Sequence, residues 1–167
     1  MSEAVSDTGP VLHLWEIGQV QALDVFERVL LPPLVAEELS RYGVALEAQV
    51  LKATLEVVPV EDGERQQVLG EPTIFAIHAP DAEVVVLTRR TGFRLSVLTD
   101  DLALRKRLEA EGADVSGSFG VLIRAYKKGF LGRLELESAV EALFSDSTLH
   151  AGAPFRAYAR ALLAELP

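Results

Sequence analysis

The sequence predicts an α/β fold in which helices cover both faces of a mostly parallel sheet. Short runs rich in β-branched and apolar residues, such as residues 93–98, alternate with segments whose apolar residues recur at helical spacing. This alternation is typical of three-layer α/β/α domains. The predicted strand over residues 3–6 is followed by Asp7, and the predicted strand over residues 93–98 is followed by Thr99 and then by Asp100 and Asp101. Because ligands of parallel sheets bind beyond the carboxyl ends of the strands, these acids indicate a site.

Predicted strands and helices alternate along the first half of the chain. Residues 3–6 are predicted as a strand, and Gly9-Pro10 favours a helix start because glycine tolerates unusual dihedrals and proline suits a first helical turn. Pro32-Pro33 likewise opens a helix that Gly43 ends. The other predicted elements are helices over 20–26, 45–52 and 61–69 and strands over 28–31 and 55–59.

The second half continues the alternation after an ambiguous segment. Residues 70–80 fit a strand, a helical turn or a loop. Asp81 is predicted to cap a buried helix over residues 82–90. The remaining predicted elements are a strand over 93–98, a helix over 102–111, a strand over 113–116, a helix over 117–128 and two amphipathic C-terminal helices. We expect one domain over residues 1–167, with 130–167 as a helical extension for packing or an interface.

Composition bounds the functional classes. A chain of 167 residues that is 49% hydrophobic and 25% charged fits one globular domain. It has no apolar run near the ~18 residues that span a bilayer and no signal-peptide pattern, so we expect a soluble cytoplasmic protein without a membrane partner. The absence of cysteine excludes disulfides and thiolate metal sites. The net charge of -9 argues against a broad nucleic-acid-coating surface but allows a local basic rim.

Several acidic side chains are predicted to converge beyond the strand ends. Three of them follow strands and three approach from neighbouring helices: Asp7, Asp100, Asp101, Glu38, Asp81 and Glu83. Two carboxylates ~4 Å apart repel by roughly 4 kcal/mol at an effective dielectric near 20, so such a cleft needs protons or a cation. Oxygen ligands favour Mg²⁺ or Mn²⁺, which can activate water for phosphodiester hydrolysis.

Five motifs follow one another within residues 5–129. They are Ser6-Asp7-Thr8-Gly9-Pro10, Pro32-Pro33 with Val35 and Glu38-Leu39, Asp81-Ala82-Glu83, Leu98-Thr99-Asp100-Asp101 with Arg105, and Gly117-Ser118-Phe119-Gly120. In this order they resemble the motifs of PIN-domain proteins, and among these the small prokaryotic members related to VapC-type toxins. The resemblance implies a PIN-like three-layer fold.

The resemblance also implies an activity. It indicates a metal-dependent ribonuclease that cuts single-stranded RNA. Some proteins of this kind are the toxins of toxin–antitoxin pairs, so an antitoxin protein is a possible partner. The acids that match the family's catalytic and metal-binding positions are Asp7, Glu38, Glu83 and Asp101. Asp100 is an alternative to Asp101 at the last of these positions. The implied cofactor is Mg²⁺ or Mn²⁺. Thr8, Thr99 and Ser118 match supporting hydroxyl groups.

The third acidic motif departs from the family pattern. Where related sequences often read Gly-Glu-x-Glu-Ala, this chain has Pro80-Asp81-Ala82-Glu83-Val84. We interpret Asp81 as the helix N-cap, since its short side chain suits nearby backbone donors. Glu83 has the longer reach and precedes the apolar run, so we assign the metal role to Glu83.

Other interpretations of these residues stay open. Each aspartate could merely cap a helix, and the chain could be a non-catalytic PIN-like module that binds protein or RNA. Arg105 could pair with Asp101 or contact phosphate, and the isolated His13 fits packing better than catalysis. A phosphate-accepting signalling domain would need an acid pair after the first strand. A haloacid-type phosphatase would need Asp-x-Asp there, which Asp7-Thr8-Gly9 does not supply.

The last predicted helix carries more apolar surface than a peripheral helix needs. Phe155, Tyr158, Leu162 and Leu166 recur at helical spacing. We expect part of this surface to cover the core and part to pair with a second copy of the chain, forming a homodimer, or with a protein partner.

Overall fold

The strands form a single five-stranded sheet in which every pair is parallel. The computed structural model describes residues 2–167. The strands are β1 (Glu3–Ser6), β2 (Arg28–Leu31), β3 (Thr54–Val57), β4 (Ser96–Leu98) and β5 (Val115–Ser116). They lie side by side in the order β3-β2-β1-β4-β5. With helices on both faces, this confirms the predicted three-layer α/β class.

Eight α-helices flank the sheet within the described residues. They are α1 (Thr8–Glu16), α2 (Pro33–Arg41), α3 (Asp62–Leu69), α4 (Ala79–Arg90), α5 (Leu102–Ala110), α6 (Ser118–Lys127), α7 (Arg133–Ser145) and α8 (Ala153–Glu165). Two short 3₁₀ helices cover Val20–Val25 and Leu46–Ala48. No helix within residues 2–167 is both long and apolar enough to cross a membrane.

The strand order places a topological switch point at the centre of the sheet. Val5 in β1 is opposite Leu30 of β2 on one side and Val97 of β4 on the other. The chain leaves β1 toward β2 and β3, and later returns to the other side of β1 through β4. Crevices at such reversals are the usual ligand sites of open α/β sheets. The switch point therefore lies where β1 and β4 end.

Buried side chains on the strands and on the inner helix faces form the core. Val5, Val97 and Leu98 have no exposed surface. Helix α4 is buried over residues 82–88, as its apolar sequence predicts. Its burial includes one charged residue, Glu83, which is 1% exposed. A buried carboxylate requires a partner, and this requirement determines the role of Glu83 described below.

The predicted helix over residues 45–52 is wrong. Only Leu46–Ala48 forms a 3₁₀ turn, and Val50 is 85% exposed, so the segment has no buried face to stabilise a helix. The Asp24 carboxylate instead accepts the N–H groups of Lys52 and Ala53 at 2.8 and 3.0 Å. These bonds hold the backbone in the extended approach to β3.

Helix α4 and strand β4 have different bounds from those predicted. Helix α4 begins at Ala79, so Asp81 is its third residue and not its N-cap, which is His78. Strand β4 is limited to three residues, because Phe93 has φ 57 and follows Gly92 with φ 64. The N–H of Phe93 donates to Thr88 O at 3.1 Å, so these residues terminate α4.

The C-terminal helix α8 packs against the domain through small and aromatic side chains. Ala159 and Leu163 are buried. The ring of Phe155 makes edge contacts with Phe119 at 5.8 Å and Phe144 at 6.0 Å between centroids. Phe155 is nevertheless 38% exposed and Tyr158 is 58% exposed. The prediction that part of α8 covers the core is therefore met, while its predicted partner surface stays a prediction.

Candidate functional site

The candidate site lies at the switch point, where polar residues follow both β1 and β4. The N–H of Asp7 donates to Leu98 O at 2.8 Å, which fixes the first residue after β1 beside the end of β4. The Thr99 hydroxyl then donates to Asp7 Oδ2 at 2.9 Å. Sheet pairing therefore aligns the two strand ends, and the threonine orients the aspartate.

Asp7 is both a helix cap and a wall of the site. Its Oδ1 accepts the N–H of Thr8 at 2.7 Å at the start of α1. The residue is 7% exposed. Burial, together with the neighbouring charges of Asp81 and Glu38, raises the pKa of the Asp7 carboxyl to about 7, although the hydrogen bonds from Thr8 and Thr99 oppose this rise. Near neutral pH this carboxyl consequently binds a proton or requires a nearby cation.

Helix α2 supplies the second acid. Glu38 is half-buried and accepts a hydrogen bond from the Thr8 hydroxyl. Its neighbour Glu37 is exposed and pairs with Arg41 one turn later, as expected for a solvated helix charge. Thr8 thus connects α2 to the start of α1, in agreement with its predicted supporting role.

Asp101 reaches the site from the start of α5. Its Oδ1 accepts the N–H of Leu104 at 2.7 Å as the N-cap of that helix. Its own N–H donates to Thr99 Oγ1 at 3.0 Å. Thr99 therefore bonds to Asp7 through its donor and to Asp101 through its acceptor. One hydroxyl group sets the relative position of two acids.

Asp81 lies in the first turn of α4 and faces the same cleft. Its Oδ2 accepts the N–H of His78 at 2.7 Å. Burial raises the pKa of the Asp81 carboxyl, and the charges of Asp101 and Glu38 add to this effect against the hydrogen bond from His78. Burial is the main cause of both raised pKa values, and repulsion between neighbouring carboxylates adds to it.

A cavity of about 500 Å³ is shared by these acids. Its walls include four carboxylates, and the complete lining is Asp7, Thr8, Gly9, Leu12, His13, Glu38, Tyr42, His78, Pro80, Asp81, Asp101 and Thr148. None of these described lining residues is lysine or arginine. The site is therefore an acidic cleft with two imidazole groups and one tyrosine in its walls.

Glu83 does not line this cleft, contrary to its predicted role as the third metal-site acid. Its Oε2 accepts the N–H of Leu34 at 2.9 Å, and its Oε1 lies 3.0 Å from Arg65. Residues two apart on a helix point in nearly opposite directions, about 200° around the axis. Because Asp81 faces the cleft, Glu83 faces α2 and α3, so Asp81 rather than Glu83 is the acid of α4 that lines the cleft.

Asp100 is likewise directed away from the cleft lining. Its Oδ2 lies 2.7 Å from His13 Nδ1 and accepts the Ser118 hydroxyl, and its Oδ1 accepts the Ser118 N–H at 2.8 Å. A Cβ atom on Gly117 would collide with Asp100, which explains the glycine of the Gly-Ser motif. Asp100 therefore joins α1 to α6, while Asp101 faces the cleft.

Two basic residues of α5 contact neighbouring parts of the fold. Arg105 contacts Glu109 and the carbonyl oxygens of Val115 and Thr99, so its predicted ion pair with Asp101 is absent within the described residues. Arg107 is 5% exposed and pairs with Glu71 at 2.6 Å. These side chains stabilise the helix in its position on the sheet.

Sequence reasoning missed three parts of the cleft wall. The sequence favours a packed or surface role for His13, whereas the structure places it in the cavity wall, paired with Asp100. Tyr42 and His78 also line the cavity. The position of Tyr42 one helical turn after Glu38 was the only local signal, since residues four apart share a helix face. No local pattern joins His13 to residues near position 100.

The acids share the cleft without forming a complete ligand group. Within residues 2–167, no three histidine, aspartate or glutamate side chains are arranged closely enough to hold one ion. Several carboxylate oxygens instead accept hydrogen bonds from Thr8, Thr99, His78 and Leu104. Such bonds satisfy the carboxylates in the absence of a cation.

Comparison with known proteins identified one family and one solved structure. A family model described as a PIN domain, DUF3368, matches residues 3–157. The solved structure is a PilT N-terminus domain protein, SSO1118, from the hyperthermophilic archaeon Sulfolobus solfataricus P2. It is 9% identical, with a TM-score of 0.46, and the alignment covers 89% of this chain and 99% of that one. A search of curated proteins found no match.

Proposed function

Because this chain belongs to the PIN-domain family, whose members are generally nucleases, we propose that it is a metal-dependent ribonuclease. The proposed reaction is hydrolysis of phosphodiester bonds in single-stranded RNA. One observation carries this proposal: Asp7, Glu38, Asp81 and Asp101, from four separate elements, line one cavity at the switch point of the sheet. An acidic cleft of this kind suits cations better than a bare anionic substrate.

The chemistry of the four acids fits Mg²⁺ or Mn²⁺. All four provide carboxylate oxygens, the ligands that these hard cations prefer. Burial and then repulsion from neighbouring acids raise the pKa values of Asp7 and Asp81, and a cation would offset both effects by favouring the charged carboxylates. We assign these two residues, Glu38 and Asp101 as the ligands. Binding would replace hydrogen bonds that the carboxylates now accept, such as the one from Thr8 to Glu38.

When bound, the cation supplies a Lewis acid for phosphodiester hydrolysis. The chain contributes orientation and proton binding. Thr99 and the Thr8 N–H hold both oxygens of Asp7 by hydrogen bonds of 2.9 and 2.7 Å. Because the pKa of Asp7 is about 7 in the metal-free protein, this carboxyl carries a proton part of the time at neutral pH and must release it to bind a cation. Thr99 also accepts the N–H of Asp101, which fixes the position of Asp101 relative to Asp7.

Cleavage of unstructured RNA tests the proposal. The parent should cut in the presence of Mg²⁺ or Mn²⁺ and not with excess EDTA, and Asp7→Asn should lose activity while keeping its fold, because asparagine still accepts hydrogen bonds and caps α1. Asp114→Asn is the matched control. Asp114 is exposed and precedes β5, so it lies at the amino-terminal ends of the strands, whereas the cleft lies at their carboxyl ends. Equal activity in the parent and Asp7→Asn would contradict the proposal.

A second candidate function is a non-catalytic PIN-like module that binds protein or RNA. The observation that favours it is the lack of a preformed ligand group within residues 2–167. This candidate predicts that Mn²⁺ neither stabilises the protein nor changes its behaviour toward RNA. It is distinguished from the ribonuclease by measuring metal binding and cleavage on the same preparation.

The proposed partners are an antitoxin protein and a second copy of the chain. A role as the toxin of a toxin–antitoxin pair rests on the resemblance to VapC-type proteins and would be supported by a small companion reading frame immediately upstream. Self-association is supported by the exposed aromatic surface of α8, where Tyr158 is 58% exposed. Light scattering should give a dimer mass, and a monomer at micromolar concentration would reject self-association.

A further inference from the structure

Tyr42 is an exposed aromatic residue in the wall of the acidic cleft. It follows the last turn of α2, and its backbone N–H donates to Glu38 O at 3.1 Å. The residue is 59% exposed, and it belongs to the same cavity lining as Glu38 and Asp7. The end of a rigid helix therefore holds an aromatic ring beside the proposed ligands.

The ring of Tyr42 makes no aromatic contact within the part of the chain that the structure describes. The aromatic pairs there involve Phe119, Phe144, Phe155 and Tyr158, and the rings beneath arginines are Phe26 and Phe144. The Tyr42 hydroxyl has no hydrogen-bond partner among residues 2–167. Tyr158 is equally exposed but packs at 6.4 Å from both Phe119 and Phe155. Unlike Tyr158, Tyr42 offers a free aromatic face.

The charge of the cleft restricts how it could bind a nucleic acid. The described lining contains four carboxylates and neither lysine nor arginine. Phosphate groups would therefore be repelled except where a cation offsets the acids. Affinity for the remainder of the substrate has to come from contacts that do not depend on phosphate charge. An aromatic face supplies such a contact, because every nucleobase has a π surface.

We propose that Tyr42 stacks on an unpaired nucleobase next to the phosphate group bound among the acids. This inference rests on the proposed function and specifies its substrate: the base must be free to leave a base-paired stack. Bases in a duplex already stack on both faces, whereas the splayed bases of single-stranded RNA can stack on aromatic side chains. Tyr42 is accordingly a binding residue that selects single strands and tolerates any base sequence.

Binding of a labelled RNA measures this contact without relying on cleavage. A single strand of about ten nucleotides fits the usual length of such sites, and its affinity is read by fluorescence anisotropy in Mg²⁺. A denaturing gel shows whether the probe stays intact, and Ca²⁺ replaces Mg²⁺ for the parent and every variant if it does not. The same sequence in a duplex and a strand with abasic sites serve as comparison probes.

Three variants separate stacking from other effects. Tyr42→Ala should raise Kd for the single strand by about 5- to 150-fold, the usual effect of removing one stacking aromatic residue. Tyr42→Phe should bind nearly as tightly as the parent, because it keeps the ring and loses only the unbonded hydroxyl. Phe130→Ala is the matched control, since Phe130 is an exposed aromatic residue, 46% exposed, that lies outside the cleft lining. It should leave Kd unchanged.

The outcomes distinguish this inference from the nuclease proposal. The stacking role would be overturned by any of four results. These are an unchanged Kd for Tyr42→Ala, equal weakening by Phe130→Ala, equal affinity for the abasic or duplex probe, and no binding by the parent. If the parent cleaves RNA and Tyr42→Ala binds normally, the inference fails while the proposed function stands. If the parent does not cleave but Tyr42→Ala binds weakly, the nuclease proposal fails and the inference stands.

Discussion

Glu83 Oε1 lies 3.0 Å from a guanidinium nitrogen of Arg65, which places the carboxylate between α3 and α4 and outside the cleft. Its other oxygen accepts the N–H of Leu34 in the first turn of α2. Helix α2 carries Glu38 and α4 carries Asp81. The buried Glu83 therefore connects the two helices that carry these acids, and it acts on the site through their positions.

This contact predicts different consequences for two similar substitutions. Glu83→Gln should lower the free energy of unfolding by about 1–3 kcal/mol, because a neutral amide leaves Arg65 without its buried counter-charge. The loss should be smaller than for a fully buried ion pair, because the Arg65 side chain is 18% exposed and also pairs with Asp62. Folded Glu83→Gln should still bind Mn²⁺. Urea denaturation and Mn²⁺ titration of the same samples measure both effects.

Asp81→Asn should have the opposite effects: little change in stability and a large loss of Mn²⁺ affinity. Asparagine keeps an oxygen for the His78 N–H and removes a charge that the neighbouring acids disfavour, so stability should be unchanged or slightly higher. Mn²⁺ affinity and RNA cleavage should fall severely. Loss of Mn²⁺ binding in Glu83→Gln together with its retention in Asp81→Asn would restore the assignment made from the sequence.

The Asp7 carboxyl predicts a pH dependence of stability. Its pKa rises from 3.8 to about 7 on folding, so between these values the native protein holds a proton that the unfolded chain releases. Native stability should thus fall as the pH rises from about 4 to about 7, by at most about 4 kcal/mol from this group. Other acids titrate as well, so the test compares the parent with Asp7→Asn in EDTA. Asp7→Asn should gain stability relative to the parent over this range, and a constant difference would contradict the raised pKa.

A divalent cation should stabilise the folded protein. The four cleft carboxylates are brought together only in the native state, so a cation that binds them shifts folding by mass action. At a concentration of about 100 times its Kd, the gain of about 2.7 kcal/mol should raise Tm by roughly 5–10 °C. Asp101→Asn should reduce the shift, while Asp114→Asn should not. Thermal melts with and without millimolar Mn²⁺ measure it, and equal melts for the parent would favour the non-catalytic module.

The adjacent acids Asp100 and Asp101 should also behave differently. Asp101→Asn keeps an N-cap for α5, so it should lose cleavage activity and Mn²⁺ affinity at nearly constant stability. Asp100→Ala removes the partner of His13 and of the Ser118 N–H and hydroxyl, so it should cost about 1–3 kcal/mol of stability. Denaturation and Mn²⁺ binding separate the two. An Asp100→Ala protein that folds normally but cannot bind Mn²⁺ would make Asp100 the ligand.

The sequence by itself determined the parallel α/β class and the approximate places where strands end in acids. These features depend on local patterns, namely apolar runs, helical periodicity and the residues that begin helices. The predicted helix over residues 45–52 failed because its local pattern had no buried surface on which to pack, as the 85% exposure of Val50 shows. Local propensity alone does not stabilise so short a helix.

Only the tertiary structure decided which acids face the cleft. Asp81 and Glu83 are both acidic and both lie near the start of α4, but about 200° of helix rotation separates them, so helix packing selects Asp81. Asp100 and Asp101 are neighbours in one turn, and contacts with the distant His13 and Ser118 draw Asp100 away. Tyr42 likewise enters the cleft wall because α2 packs beside α1. Such long-range contacts have no local sequence signal, since they join residues that are adjacent only after the chain has folded.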